Sequence, residues 1–144
     1  MRVALPQGGL APWNSSSWGV NPDLRLKPEI AAPGGSVTSS EPGNEYDDET
    51  GTAEASAQVA GVAALVRQRI ATDPAFAAMS AADKNAVITN LLMGTAHPLI
   101  DVELGDGTFY SPRKVGAGQV DAVAATTSSV YPTVIGASDP SRPK

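Results

Sequence analysis

One stretch constrains this chain more than any other: ETGTAEASAQVAGVAALVRQ, residues 49–68. A glycine at position 51 runs straight into apolar residues at helical spacing, Val59, Val62, Ala63, Val66 and Ile70. The spacing predicts a helix over 53–69. Ala55, Ala57, Ala60, Gly61 and Ala64 occupy most of the other faces, so the helix is expected to be buried on more than one side. Gly61 costs about 1 kcal/mol of helix propensity relative to Ala, and close approach by a neighbouring backbone would account for it. The start of such a helix is a chemical seat. It offers unpaired backbone N–H groups and a partial positive charge. A residue there presents its side chain while its own N–H helps to stabilise an oxyanion. The preceding glycine lets a substrate backbone come close. An attacking serine suits this position, yet Ala53 stands there.

The remaining pattern is sparse. SSSWG, residues 15–19, reads as a short strand ending in a turn, with Trp18 in the core. NPDLRLKPE carries two prolines and is expected to be extended. A strand is expected around Ser36–Ser39, followed by an acidic loop rich in turn formers, EPGNEYDDET. A second helix starts at Ser80, whose hydroxyl is placed to cap with Asp83 three residues on, and stops at Gly94. Asp106-Gly107 marks a hairpin turn. A third, short helix follows in VDAVAATTSSVY, residues 120–131. Two clear helices, one short one and few strands are thin for a self-sufficient fold. They read as the latter part of an α/β domain.

Composition narrows the function classes. The 144 residues are 42% hydrophobic, enough for a real core. The net charge is −5 and no basic run occurs, which argues against nucleic acid as a partner. Cysteine is absent, so thiolate metal sites and disulfides are excluded. No stretch is apolar long enough to span a bilayer, and the N-terminal residues lack the pattern of a signal peptide. No cofactor motif is visible. GAGQVDA is not a G-x-G-x-x-G loop in a strand–helix context.

With these segments in place, GTAEASAQVAG resembles the nucleophile motif of the subtilisin-like serine proteases, G-T-S-M-A-[ST]-P-[HQ]-[VI]-A-G. LKPEIAAPGGSV looks like that family's K-P-[DE]-[IV]-x-A-P-G segment, and SSSWG like its [FS]-S-S-x-G strand. NLLMGTA and SPRKVGAGQVDAVAA are similar to the pattern of the large cell-envelope subtilases of Gram-positive bacteria, the lactocepin and C5a-peptidase-like group. Four motifs in order make chance similarity an inadequate explanation. The resemblance implies the C-terminal portion of a subtilisin-like α/β domain, a parallel sheet flanked by helices, incomplete as a standalone fold. Residues 15–131 would carry this part of the peptidase domain, with 1–14 a lead-in and 132–144 a linker or frayed tail. It also implies polypeptide substrates, the N-terminal half of the domain as a possible partner, and an extracellular or wall-associated setting; from the residues themselves, no metal or cofactor is expected.

Carried over by position, the resemblance puts Ala53 in the place of the catalytic serine, with Gly51 and Thr52 before it. Glu54 replaces an apolar side chain there and Ala57 replaces a proline, while Gln58 is a variant found within the cell-envelope group. The Ala53 N–H would be one oxyanion donor, and Glu54 would set negative charge beside it, which opposes catalysis. The family order is Asp, His, Ser, and no histidine precedes Ala53. The expectation is therefore a serine endopeptidase domain fragment that is inactive by itself, or alternatively a pseudoprotease that binds polypeptide without cleaving it. Ser56 is read as capping or packing rather than as a substitute nucleophile. His97 is the sole histidine, lies after Ala53, and is read as a surface residue. Glu45, Asp47, Asp48 and Glu49, and likewise Asp101, Glu103 and Asp106, are read as solvated acidic loops rather than calcium ligands.

Overall fold

A computed structural model of the chain describes residues 11, 12, 14 and 16–133. Most of the 1–14 lead-in and nearly all of the 132–144 tail therefore lie outside the described residues. The elements in order are β1 (Val37–Glu41), β2 (Glu45–Glu49), α1 (Thr52–Thr72), α2 (Ala81–Gly94), α3 (Pro112–Val115) and α4 (Ala122–Thr127). A 3-10 turn, Pro74–Phe76, lies between α1 and α2.

The acidic stretch expected to be a loop is half of a hairpin. β1 and β2 pair antiparallel, from Val37 opposite Glu49 to Glu41 opposite Glu45. The turn forms because Gly43 and Asn44 both accept positive φ, 94° and 64°. Across the ladder the Thr38 hydroxyl donates to Asp48 Oδ1 at 2.6 Å. The SSSWG segment departs from expectation in the other direction. Ser16–Gly19 forms no strand, and Trp18 is 59% exposed rather than in the core.

Helix α1 begins one residue before the predicted start and ends three after the predicted end. Pro74 supplies no N–H, and Asp73 Oδ1 accepts from Ala75 N at 2.9 Å, so TDP is the real stop signal. Helix α2 is capped as the sequence predicts. Ser80 Oγ accepts from Asp83 N at 3.1 Å and donates to Asp83 Oδ2 at 2.7 Å. The third helix is shorter than its 120–131 pattern, because Asp121 caps it and Ser128 is already extended.

Helices α1, α2 and α4 pack on one another around Ile30, Ala55, Val66, Ile70, Leu91 and Ala125. A second, smaller cluster joins Ala31, Leu99, Tyr110 and Val115. Among the described residues, parallel pairing survives as a single bridge between Ala31 and Gln119, and His97 pairs antiparallel with the same Gln119. That arrangement ties the Glu29–Ala31 segment to residues 117–120 through Ala31 N to Gly118 O and Val120 N to Ala31 O.

The expectation that α1 is buried on more than one side is not met. Ala55, Val59, Val66 and Ile70 are buried, whereas Ala53, Ala57, Ala60, Gly61 and Ala64 are exposed and Leu65 is 52% exposed. The apolar pattern is real, but among the described residues nothing packs on that second face.

Candidate functional site

Two loops build the start of α1. Gly51 N donates to Gly34 O at 2.8 Å, and Ser36 N donates to the Thr50 hydroxyl at 2.9 Å. The Pro33–Ser36 loop therefore grips Thr50 and Gly51 at two points. Gly34 has to be glycine for this: a Cβ there would lie 2.4 Å from Gly51 O and 3.0 Å from Ala55 Cβ. Gly51 is fully extended (φ 177°) and opens the helix without a side-chain cap. Its N–H is spent on Gly34, so the first-turn N–H groups of α1 are left to face whatever lies at the helix start.

Thr52 and Ala53 then line different concavities. Thr52 lines a cleft of about 200 Å³ with Ser16, Trp18, Asn21 and Lys27. Ala53 and Glu54 line a separate groove of about 390 Å³ with Val37, Ala57 and Gly61. The structure thus brings Gly51, Thr52, Ala53 and Glu54 together at one helix start, between two concavities. The Glu54 carboxylate turns back over the glycine, with Oε2 2.6 Å from where a Gly51 Cβ would sit. Its negative charge is comfortable at the positive end of the helix.

The Thr52 cleft owes its wall to residues far along the chain. Arg113 Nε donates to Gly19 O at 2.8 Å, and Gly19 N donates to Arg113 O at 2.9 Å. Lys114 Nζ lies 5.1 Å from the Trp18 ring centroid and 4.7 Å from that of Tyr110. Sequence reasoning assigned Arg113 and Lys114 no role. Their only signal was the S-P-R-K turn, which names no partner. Arg113→Ala, in a Trp13→Phe background, is expected to shift Trp18 emission to the red and raise its quenching by iodide. The lost charged hydrogen bond should also cost about 1.5 kcal/mol or more in urea unfolding.

The other candidates lie elsewhere. Ser56 is exposed on α1 and neither caps nor packs, contrary to expectation. His97 is on the surface, and its Nε2 sits 2.7 Å from Asp121 Oδ2. The acidic residues of the later loop serve their own turns. Asp101 Oδ1 accepts from Glu103 N and Leu104 N at 3.0 and 3.2 Å, and Asp106 Oδ1 accepts from Thr108 N at 2.9 Å. Among the described residues no group of three or more His, Cys, Asp or Glu is placed to hold a metal. No described helix is long and apolar enough to cross a membrane.

Asp121 carries a pH dependence. The Ala124 N–H, then the His97 ring, hold its carboxyl below the usual 3.8. A depressed folded pKa contributes stability above the unfolded value, and that stability is lost as pH falls through the folded value. Asp121→Asn is therefore expected to flatten the acid limb of stability below about pH 4 in urea titrations. At pH values below the folded pKa the variant and the parent should converge.

Residues 5–125 match the subtilase family. This chain belongs to that family. It is 35% identical over 118 residues to the C5a peptidase of Streptococcus pyogenes, covering 82% of this chain and 10% of that protein. It is 36% identical over 115 residues to the PII-type proteinase of Lactococcus lactis subsp. cremoris, covering 76% of this chain and 6% of that one. This subtilase chain thus spans about a tenth or less of the length of the relatives it matches. Among solved structures it is similar to the patellamide maturation protease PatA, at 27% identity and a TM-score of 0.59, covering 87% of this chain and 40% of that one. The prenylagaramide maturation protease PagA matches at 26% and 0.56, covering 80% and 37%. The α/β fold is subtilase-like, with its helices and small sheet forming part of such a domain.

Proposed function

We infer that the chain is the nucleophile-side part of a subtilase endopeptidase domain with an unreactive seat, and that it hydrolyses no peptide bond by itself. One observation carries this reading: Ala53 stands exposed at the start of α1, flanked by Gly51, Thr52 and Glu54. On this reading its N–H would be an oxyanion donor, but its methyl has no lone pair with which to attack. The Glu54 carboxylate opposes charge development at the same place. The single histidine follows Ala53 and is engaged with Asp121, so it does not match the family's base. Residues 15–131 form the domain part on this reading, and 132–144 a connecting tail. The relatives' type supports an extracellular or wall-associated setting and polypeptide as the ligand class.

A second reading, binding of polypeptide without cleavage, is favoured by the cleft beside Thr52, with Trp18 on its wall. One experiment separates the two readings. The purified chain is incubated with a pool of internally quenched peptides, and hydrolysis and fluorescence polarisation are followed together. The main reading expects neither to rise above buffer. Polarisation without hydrolysis selects the binding module, and hydrolysis abolished by a serine-protease inhibitor overturns both.

A further inference from the structure

We propose that the ribbon formed by residues 99–101 and 108–110 is a docking site for an extended, cationic polypeptide segment that joins it as an added strand. The ribbon is a short antiparallel pairing. Asp101 N donates to Thr108 O at 2.7 Å and Tyr110 N donates to Leu99 O at 2.9 Å, with Ile100 opposite Phe109 between these bonds. Its inner face is spent on the fold, because Leu99 and Tyr110 are buried with Ala31 and Val115. A ribbon with one covered face should be polar on the other. This one is apolar there. Ile100 and Phe109 are more than half exposed, and so are Val102 and Leu104 towards the tip.

The backbone makes the case specific. In an antiparallel pairing, the two residues of a non-hydrogen-bonded pair turn their own N–H and C=O groups outward, one to each edge. Ile100 and Phe109 hold those places, and neither N–H takes part in a hydrogen bond among the described residues. The Phe109 edge is the more complete of the two. Its next outward residue, Ser111, also keeps an N–H without a bond among the described residues, whereas Pro98 takes the equivalent place on the Ile100 edge and has no N–H. An added strand needs both features found at Phe109, main-chain groups for hydrogen bonding and an exposed side chain for contact area.

Charge selects the occupant. Asp101, Glu103 and Asp106 stand among the exposed apolar residues. Lys114 Nζ lies 3.4 Å from Glu103 Oε2, while Asp101 and Asp106 take part in no ion pair among the described residues. A second copy of this chain would bring the same carboxylates edge to edge, and an anionic bilayer would be repelled. A strand that alternates apolar residues with Lys or Arg answers both the apolar face and the acids. The ribbon shares no residue with the concavities beside Thr52 and Ala53, so the proposal goes beyond the unreactive seat and does not rest on it.

The test titrates a fluorescein-labelled peptide, Lys-Val-Lys-Val-Lys-Val-Lys, with the full 144-residue chain and follows polarisation. Saturable binding is expected. Phe109→Ser should weaken it about tenfold, Ile100→Ser should weaken it too, and Val123→Ser, an exposed change on α4, should leave it unchanged. The same peptide with its backbone nitrogens methylated cannot donate main-chain hydrogen bonds and should not bind. A Glu-for-Lys version should not bind either. These two probes keep the test decisive even where a variant fails to fold. Absence of binding by the parent overturns the proposal, and the acids then serve to keep the edge unpaired. Equal binding of the methylated peptide overturns it, because charge alone would be the attraction. So does equal binding by parent and Phe109→Ser. Self-association of the chain, or binding to phosphatidylserine vesicles, that Phe109→Ser abolishes also overturns it, because the occupant would then be a second copy or a lipid surface. Polarisation that Phe109→Ser removes belongs to this ribbon and does not select the cleft-binding reading. Failure of docking leaves the inactivity reading intact, whereas peptide hydrolysis by the chain alone overturns that reading whatever docks.

Discussion

Ala53→Ser is expected to leave peptide hydrolysis by this chain at the buffer background. The substitution restores the reacting oxygen in the best available place, exposed at the start of α1 beside Gly51 and Thr52. A serine hydroxyl is a weak nucleophile until a base takes its proton. The chain has one histidine, and the His97 ring bonds to Asp121. Glu54 is the nearest carboxylate in sequence, but adjacent residues on a helix do not face each other, and its Oε2 is turned over Gly51. In subtilisin itself, loss of the histidine alone costs about as much as loss of the whole triad, ~2 × 10⁶ in kcat. One restored atom therefore recovers none of that factor. Turnover of quenched peptides by parent and variant should be indistinguishable, and an increase of even a hundredfold over buffer would require a base that the fold does not present.

The second large effect is on stability. Leu91→Ala should destabilise the chain by about 2–5 kcal/mol, the range for deleting a fully buried leucine. Leu91 is 0% exposed and belongs to the cluster that joins α1, α2 and α4. Because α1 offers only one of its faces to this core, few other contacts share the load. Typical domains hold about 5–15 kcal/mol in total, so this loss is a large fraction of the stability. Urea unfolding followed by circular dichroism measures this, with Val123→Ala as the exposed control, expected within about 0.5 kcal/mol of the parent. A loss below about 1 kcal/mol for Leu91→Ala would mean that the helices are not packed as described.

What was legible in the sequence was local. The Ser80–Asp83 cap and the spacing of Val59, Val66 and Ile70 each state their own structure. The motif order around Gly51–Glu54 indicated the family, and all four residues lie at one helix start. The hairpin strand EYDDE was not legible. Its acidic residues disfavour strands, and only pairing with Val37–Glu41 sustains it. Trp18 looked like core because large aromatics usually are, but its neighbour is the Lys114 ammonium. The bond from Arg113 to Gly19 spans 94 positions, and no local pattern announces a tie of that length. The burial of α1 was misjudged for a related reason. An apolar face records what a helix is built to meet, not what the described residues place against it.

The most direct test of an unreactive seat is covalent. The purified chain is incubated with a fluorophosphonate probe, and intact mass and peptide maps are read. The account predicts an unmodified chain, with the 49–68 peptide at its native mass. Stoichiometric phosphonylation of a serine in this chain, Ser56 above all, would contradict it.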